Sequence, residues 1–255
     1  MRILLLCFVM SVGLPVYGSQ RCFDDRFCLT TKQGNNNTEL LVENVSDLPV
    51  VLTVYAPQLI GKPHITVDLN ATEQHSLGTL RSPRRFWQDM QVRWTPGVLN
   101  ASHDDNVRYI PPLQPLSQYP VIQGFNGNYS HQGASRYAID FDAPEGTPVL
   151  AARGGIVIDT KADGKRGGPS KSLAKYANYV AILHDDGTTG EYYHLRYAGV
   201  TVSRGDTIEA GQLIGYTGNT GFSSQPHLHF GVYIAKPHGR YDSVPVSFNP
   251  PVTMP

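Results

Sequence analysis

The chain has 255 residues, with 21 Lys and Arg balanced by 21 Asp and Glu, so net charge gives no argument for a nucleic-acid or anionic-membrane partner. A hydrophobic fraction of 40% supplies a core for one large or two small domains. Only 16% of residues are charged, while 25 glycines and 19 prolines favour short strands and turns over long helices.

The first segment, residues 1–18, reads as an export signal. A basic start (Arg2) is followed by an apolar run, and Val16-Tyr17-Gly18 places small residues where a signal peptidase cuts. Gly13 and Pro15 interrupt the run before it reaches the roughly 20 residues of a membrane span. Cys7 lies inside the apolar stretch and not at a cleavage site, which argues against a lipid anchor. The expected location is periplasmic or secreted. Two cysteines then remain, Cys22 and Cys28. In an exported chain an even pair suggests a disulfide closing a small loop, with two free thiols as the alternative.

Residues 19–110 are expected to form an N-terminal β domain. Period-two alternation at residues 38–42, 50–55, 64–69 and 91–94, bounded by turn formers, predicts an antiparallel, sandwich-like arrangement. His64, His75 and His103 are scattered there and read as ordinary surface or turn histidines. Residues 111–118, within Ile110-Pro111-Pro112-Leu113-Gln114-Pro115-Leu116 and beyond, read as a stiff linker.

Residues 119–255 change in texture. Strand-like runs at 147–152, 155–159, 179–184, 191–195, 213–216 and 229–234 alternate with glycine-rich turns, and residues 184–190 read as a hairpin connection. Residues 161–175 read as a mobile loop. The fold class expected for the whole chain is mainly β.

The polar residues of this half carry the chemistry. In Pro226-His227-Leu228-His229-Phe230 a strand would put both imidazoles on one face and send Leu228 and Phe230 to the other. Neutral imidazoles on a shared face suit zinc, although exposed strand histidines give the same pattern. Asp140 sits between Ile139 and Phe141, where burial of an unpaired carboxylate is unfavourable and a metal would offset it. Backbone amides, Arg136 or Arg153 are the bland partners, and Asp142, two residues on, is a competing ligand. His131 lies in a polar, turn-like stretch, and His194 follows Tyr192-Tyr193 at a predicted strand end.

Together these pieces resemble the LytM/lysostaphin-type zinc metallopeptidases of family M23. His131 and Asp140 are similar to the first histidine and the aspartate of its metal motif. The stretch from Asp140 through Ala143-Pro144-Glu145-Gly146-Thr147-Pro148-Val149 follows as in the family. Tyr193-His194-Leu195 resembles its isolated catalytic histidine, and residues 211–221 resemble its glycine-rich approach to His227-Leu228-His229-Phe230. The resemblance covers residues 119–235. It implies an M23-type β-sheet peptidase domain, Zn2+ held by His131, Asp140 and His229, and catalytic roles for His194 and His227. It also implies a peptidoglycan or glycine-containing peptide substrate.

One departure stands out. The commonest spacing leaves three residues between the first histidine and the aspartate, whereas eight separate His131 from Asp140. The shorter spacing would fall on Arg136, which cannot serve as a normal zinc ligand.

The leading functional expectation is an exported zinc metalloendopeptidase cutting peptidoglycan cross-links or stem peptides. A non-catalytic binding or activator module of cell-wall hydrolysis on the same fold is the alternative, disfavoured by the complete polar set. A carrier of the lipoyl or phosphohistidine kind is disfavoured by the export signal and by the missing hairpin lysine.

Overall fold

The computed structural model describes residues 19–255, so the expected export segment, residues 1–18, lies outside the described residues. The first part of the chain supplies β1 (Gln20–Phe23), β2 (Phe27–Gln33), β3 (Thr38–Asn44), β4 (Val50–Tyr55), β5 (His64–Leu69), β6 (Gln74–Leu80), α1 (Pro83–Asp89) and β7 (Gln91–Pro96). They build two antiparallel sheets, one ordered β1-β2-β3-β6 and one ordered β5-β4-β7. Alternating residues fill the space between them. Phe27, Leu29, Leu40 and Val42 of one sheet share a buried cluster with Val50, Leu52 and Val54 of the other. Strands β4 and β5 lie where alternation places them, and Cys22 and Cys28, cross-strand partners in β1 and β2, form a disulfide.

Helix α1 is not signalled by any long apolar stripe. It is a short helix, opened by Pro83 in its first turn, that buries Phe86.

The proline-rich segment does not stand free as a spacer. Pro111, Pro112 and Leu113 are buried, Leu113 joins the second core, and main-chain bonds run from Ile110 N to Ala152 O and from Leu150 N to Pro112 O. Proline lacks a donor but keeps its carbonyl, so such a segment can still accept hydrogen bonds from a neighbouring strand.

The second part contains β8 (Arg108–Tyr109), β9 (Val121–Gln123), β10 (Ile139–Asp142), β11 (Pro148–Leu150), β12 (Gly155–Lys161), β13 (Gly167–Gly168), β14 (Asn178–Leu183), β15 (Thr189–Val200), β16 (Thr207–Ile208), β17 (Leu213–Thr217), β18 (Gly221–Phe222), β19 (His227–Lys236), β20 (Arg240–Val244) and β21 (Ser247–Phe248). The main sheet runs β16-β12-β14-β15-β19-β10-β9, with β20 beside β19 and β17 bridging β11 and β15. Ile139, Phe141, Tyr192, Leu195, Leu228 and Phe230 pack into the core on one face. The histidines occupy the other.

The segment 161–175 is more ordered in pattern than a plain loop. Strand β13 pairs in parallel with β18, a 3-10 turn covers Lys171–Tyr176, and the Asn178 amide bonds both Gly164 N and Gly164 O. A buried arginine joins the two cores. Arg26 Nη2 donates to Ile158 O (3.0 Å) and pairs with Asp159 Oδ1 (2.8 Å), while Tyr179 donates to Asp159 Oδ2 at 2.7 Å. No helix among the described residues is long and apolar enough to cross a membrane.

Candidate metal centre

Strands β10 and β19 pair antiparallel with Asp140 opposite His229 and Asp142 opposite His227. That register carries Asp140 and His229 onto the same face, away from the Phe141 and Leu228 side. His131 arrives from the connection between β9 and β10. The eight intervening residues fold around a 3-10 turn, Gly133–Ser135, that returns the chain to the strand. Asp140 Oδ1 lies 3.1 Å from His131 Nε2 and 2.8 Å from His229 Nδ1, and the two nitrogens are 3.3 Å apart. All three donor atoms fall within 4.8 Å of one another.

Tautomers make this cluster informative. His131 Nδ1 sits 2.9 Å from Gly124 O, which can only accept, so the ring hydrogen is on Nδ1 and the lone pair is on Nε2. A neutral His131 therefore turns a lone pair toward the carboxylate and toward His229. With His229 also presenting its Nδ1 lone pair, three electron-pair donors would face one point, an arrangement that a shared cation stabilises. The set of two imidazoles and one carboxylate is the kind zinc takes in catalytic sites.

Burial pushes the Asp140 carboxyl upward, but its close contacts with the His131 and His229 rings outweigh this and hold it well below the usual carboxylate range. Its second oxygen is also occupied, since Gln123 Nε2 donates to Asp140 Oδ2 at 2.8 Å. Gln123 is fixed in turn by the main-chain N–H groups of Tyr129 and Ser130 on its Oε1. Nothing in the sequence reading singled out Gln123. Asp142, the competing carboxylate, is exposed and stands outside the cluster. Arg136 is also exposed, over the Tyr137 ring.

His194 is brought in by a bulge. Tyr179 pairs with Tyr193 and Asn178 with Leu195, so His194 is the extra residue of β15. Its φ of +66° is the left-handed conformation that non-glycine residues rarely adopt. Without the bulge, strict alternation from the buried Tyr192 along the same sequence would send His194 into the core and Leu195 out to the groove. With it, Tyr193 and His194 both line the groove while Tyr192 and Leu195 remain buried.

His194 Nδ1 donates to Thr220 O (2.7 Å) and His227 Nδ1 to Gln225 O (2.7 Å), which leaves both Nε2 lone pairs free. Burial, then the neighbouring His227 and His229, pull His194 down to about 3. Burial also lowers His227, with Asp140 opposing. His227 Nε2 lies 3.8 Å from Asp140 Oδ1. The surrounding groove, about 710 Å3, is walled by Ile122, Tyr129 and Phe222 as well as the polar set. Tyr129 stacks on Phe222 with ring centroids 5.8 Å apart.

Residues 134–242 match the family model described as peptidase family M23. This part of the chain belongs to peptidase family M23. The matched stretch begins after His131, which the geometry above places beside Asp140 and His229 of that stretch.

The chain is similar to lysostaphin of Staphylococcus simulans, 36% identical over 132 residues, which is 51% of this chain and 23% of that protein. It is 31% identical over 125 residues to an uncharacterized metalloprotease of Buchnera aphidicola (48% of this chain, 30% of that protein). It is also 31% identical over 122 residues to the peptidoglycan DD-endopeptidase ShyA of Vibrio cholerae (46% and 26%). The matches thus span less than a third of each of these relatives. Among solved structures, the catalytic domain of lysostaphin from Staphylococcus simulans aligns with 30% identity and a TM-score of 0.37, over 51% of this chain and 92% of that one.

Proposed function

We propose that this chain is an exported zinc metalloendopeptidase that hydrolyses peptide bonds in peptidoglycan cross-links or stem peptides. In this reading His131, Asp140 and His229 hold the metal, and His194 and His227 are the catalytic histidines. Residues 19–110 are read as an N-terminal β domain whose last strand, β8, packs into the second core, residues 111–118 as the connection along that core, and residues 119–255 as the peptidase domain. The observation that carries the reading is the convergence of His131 Nε2, Asp140 Oδ1 and His229 Nδ1 on one point, with the His131 hydrogen held on the far nitrogen by Gly124 O.

A zinc ion held there would acidify water toward neutrality and polarise a carbonyl. The chain's own groups do the rest. His194 and His227 are neutral near pH 7, so their Nε2 atoms accept hydrogen bonds and orient a water molecule above the groove floor. A proton taken up there as negative charge grows on the substrate turns the same atom into a donor toward the oxyanion. Gln123 and Gly124 O keep Asp140 and His131 from rotating away.

The substrate class is supported by the relatives, which include lysostaphin and proteins named peptidoglycan DD-endopeptidase and glycyl-glycine endopeptidase. The Cys22–Cys28 disulfide suits an oxidising compartment outside the cytoplasm. The test is zinc analysis of the purified chain together with mass spectrometry of fragments released from cell-wall sacs, with and without a chelator. Peptide fragments that disappear with the chelator and return with added zinc are expected. Bound zinc with no fragments released would instead favour the non-catalytic binding or activator module.

A further inference from the structure

Three of the four histidines at the groove have their tautomer set by main-chain carbonyls: His131 by Gly124, His194 by Thr220 and His227 by Gln225. His229 is built differently. Its Nδ1 faces Asp140 and His131, and its Nε2 lies 3.1 Å from the hydroxyl of Tyr233. A hydroxyl can donate or accept, so this contact does not fix the ring hydrogen as a carbonyl does.

The contact is nonetheless specific. Residues 229, 231 and 233 share one face of β19, and Tyr233, only 1% exposed, folds its ring back along the strand to reach His229. The ring passes over Gly231. A Cβ at position 231 would stand 2.8 Å from Cε2, Cζ and Oη of Tyr233, closer than carbon atoms approach. On the neighbouring strand Thr189 pairs with Tyr233, Glu191 with Gly231 and Tyr193 with His229, so the tyrosine is enclosed from that side.

We propose that Tyr233 accepts a hydrogen bond from His229 Nε2–H, commits the Nδ1 lone pair to the metal, and depends on Gly231 for the room to do so. The inference rests on the metal assignment above and adds to it the residue that positions one ligand. If Nδ1 binds a cation, the hydrogen of the neutral ring must sit on Nε2, and Tyr233 Oη is placed to receive it. Outer partners of this kind govern ligand orientation, and their loss commonly weakens metal binding by about 10–100-fold. Tyr233 is thus a positioning residue.

Two variants test it in the full chain. Tyr233→Phe keeps the ring and removes the acceptor; Gly231→Ala keeps the hydroxyl and displaces it. Zinc affinity is measured by chelator competition, and the His229 Nε2–H signal is followed by 15N NMR of the zinc-loaded, histidine-labelled protein. Both variants are expected to bind zinc about 10-fold or more weakly, with the Nε2–H signal shifted upfield and exchanging faster with water. Should Gly231→Ala fail to fold, Tyr233→Phe decides alone, because a purely packing role for the ring predicts no change in either readout. Unchanged affinity and signal in Tyr233→Phe, beside a wild type that binds one zinc, overturns the inference and leaves the metal assignment standing. A wild-type chain that takes up no zinc overturns both.

Discussion

The rings of His194 and His227 face each other with centroids 4.6 Å apart, and each is anchored through Nδ1 to a backbone carbonyl. Neither belongs to the converging His131, Asp140 and His229 set. His194→Ala or His227→Ala should therefore abolish hydrolysis, by about 10²–10⁴-fold in turnover, while much of the zinc remains. Metal content and kcat measured on the same preparation check this. Wild-type turnover in the His194 variant would remove that residue from the chemistry.

His229→Ala is expected to abolish both zinc binding and hydrolysis, since it removes one of three donors. The two carboxylates of β10 separate cleanly. Asp140 is buried between two imidazoles, whereas Asp142 is exposed. Asp140→Ala should abolish zinc uptake, and Asp142→Ala should leave stoichiometry near wild type. The opposite order would show that the other carboxylate is the ligand.

Glu191, partly buried, accepts hydrogen bonds from the hydroxyls of Tyr193 and Thr189, and burial pushes its carboxyl up to about 7. An acid raised in the folded state binds more protons than in the unfolded chain between about 4.5 and 7, so this group makes stability fall as pH rises through that window. Glu191→Gln, which mimics the protonated acid, should match wild type near pH 4.5 and exceed it at pH 8. The full shift corresponds to about 3 kcal/mol, and partial exposure brings the expected gain to ~1–2 kcal/mol. Urea unfolding at pH 5 and pH 8 measures the difference; an equal gap at both values would refute the assignment.

His184 acts in the reverse sense. Burial pulls it down to about 4, so the unfolded chain binds more protons between about 4 and 6.5 and stability is lost as pH falls through that range. Replacing His184 with Leu should flatten the acid side of the stability profile, read as Tm against pH from 4 to 7.

Arg26 is 1% exposed and reaches from one core to the strand β12 of the other, where it meets Ile158 O and Asp159. Arg26→Ala leaves Asp159 without its cation and opens the space over Trp94. A loss of about 3–5 kcal/mol is expected for breaking such a buried pair, visible as a lower denaturant midpoint. An unchanged midpoint would mean that the two cores are held together elsewhere.

Much of the sheet was legible because period-two alternation is strong where one face is buried. The expected run 50–55 is β4, and 64–69 is β5. Strands β1, β2 and β6 escaped because Gln20–Phe23 is short and exposed, Phe27–Gln33 ends in polar residues, and Gln74–Leu80 contains Gly78. The pairing of His227 with His229 on one face was readable from their spacing. The aim of His194 was not, because a bulge depends on the partner strand, and nothing local in Tyr193-His194-Leu195 announces it. Gln123 was hidden for a similar reason, since only tertiary folding brings it to Asp140. Tyr233 was accessible in principle, because counting by two from His229 leads through Gly231 to it.

The bulge also sets where the chain tolerates changes of length. Residues 132–134, at the start of the connection from His131 to β10, are exposed, so added length there can be absorbed outward. Strand β15 has no such freedom around position 194. Removing one residue there would close the bulge, leaving Tyr192 and Leu195 buried but only one of Tyr193 and His194 to line the groove. Insertions at 132–134 should accordingly be tolerated, whereas a deletion at 193–194 should abolish the proposed turnover.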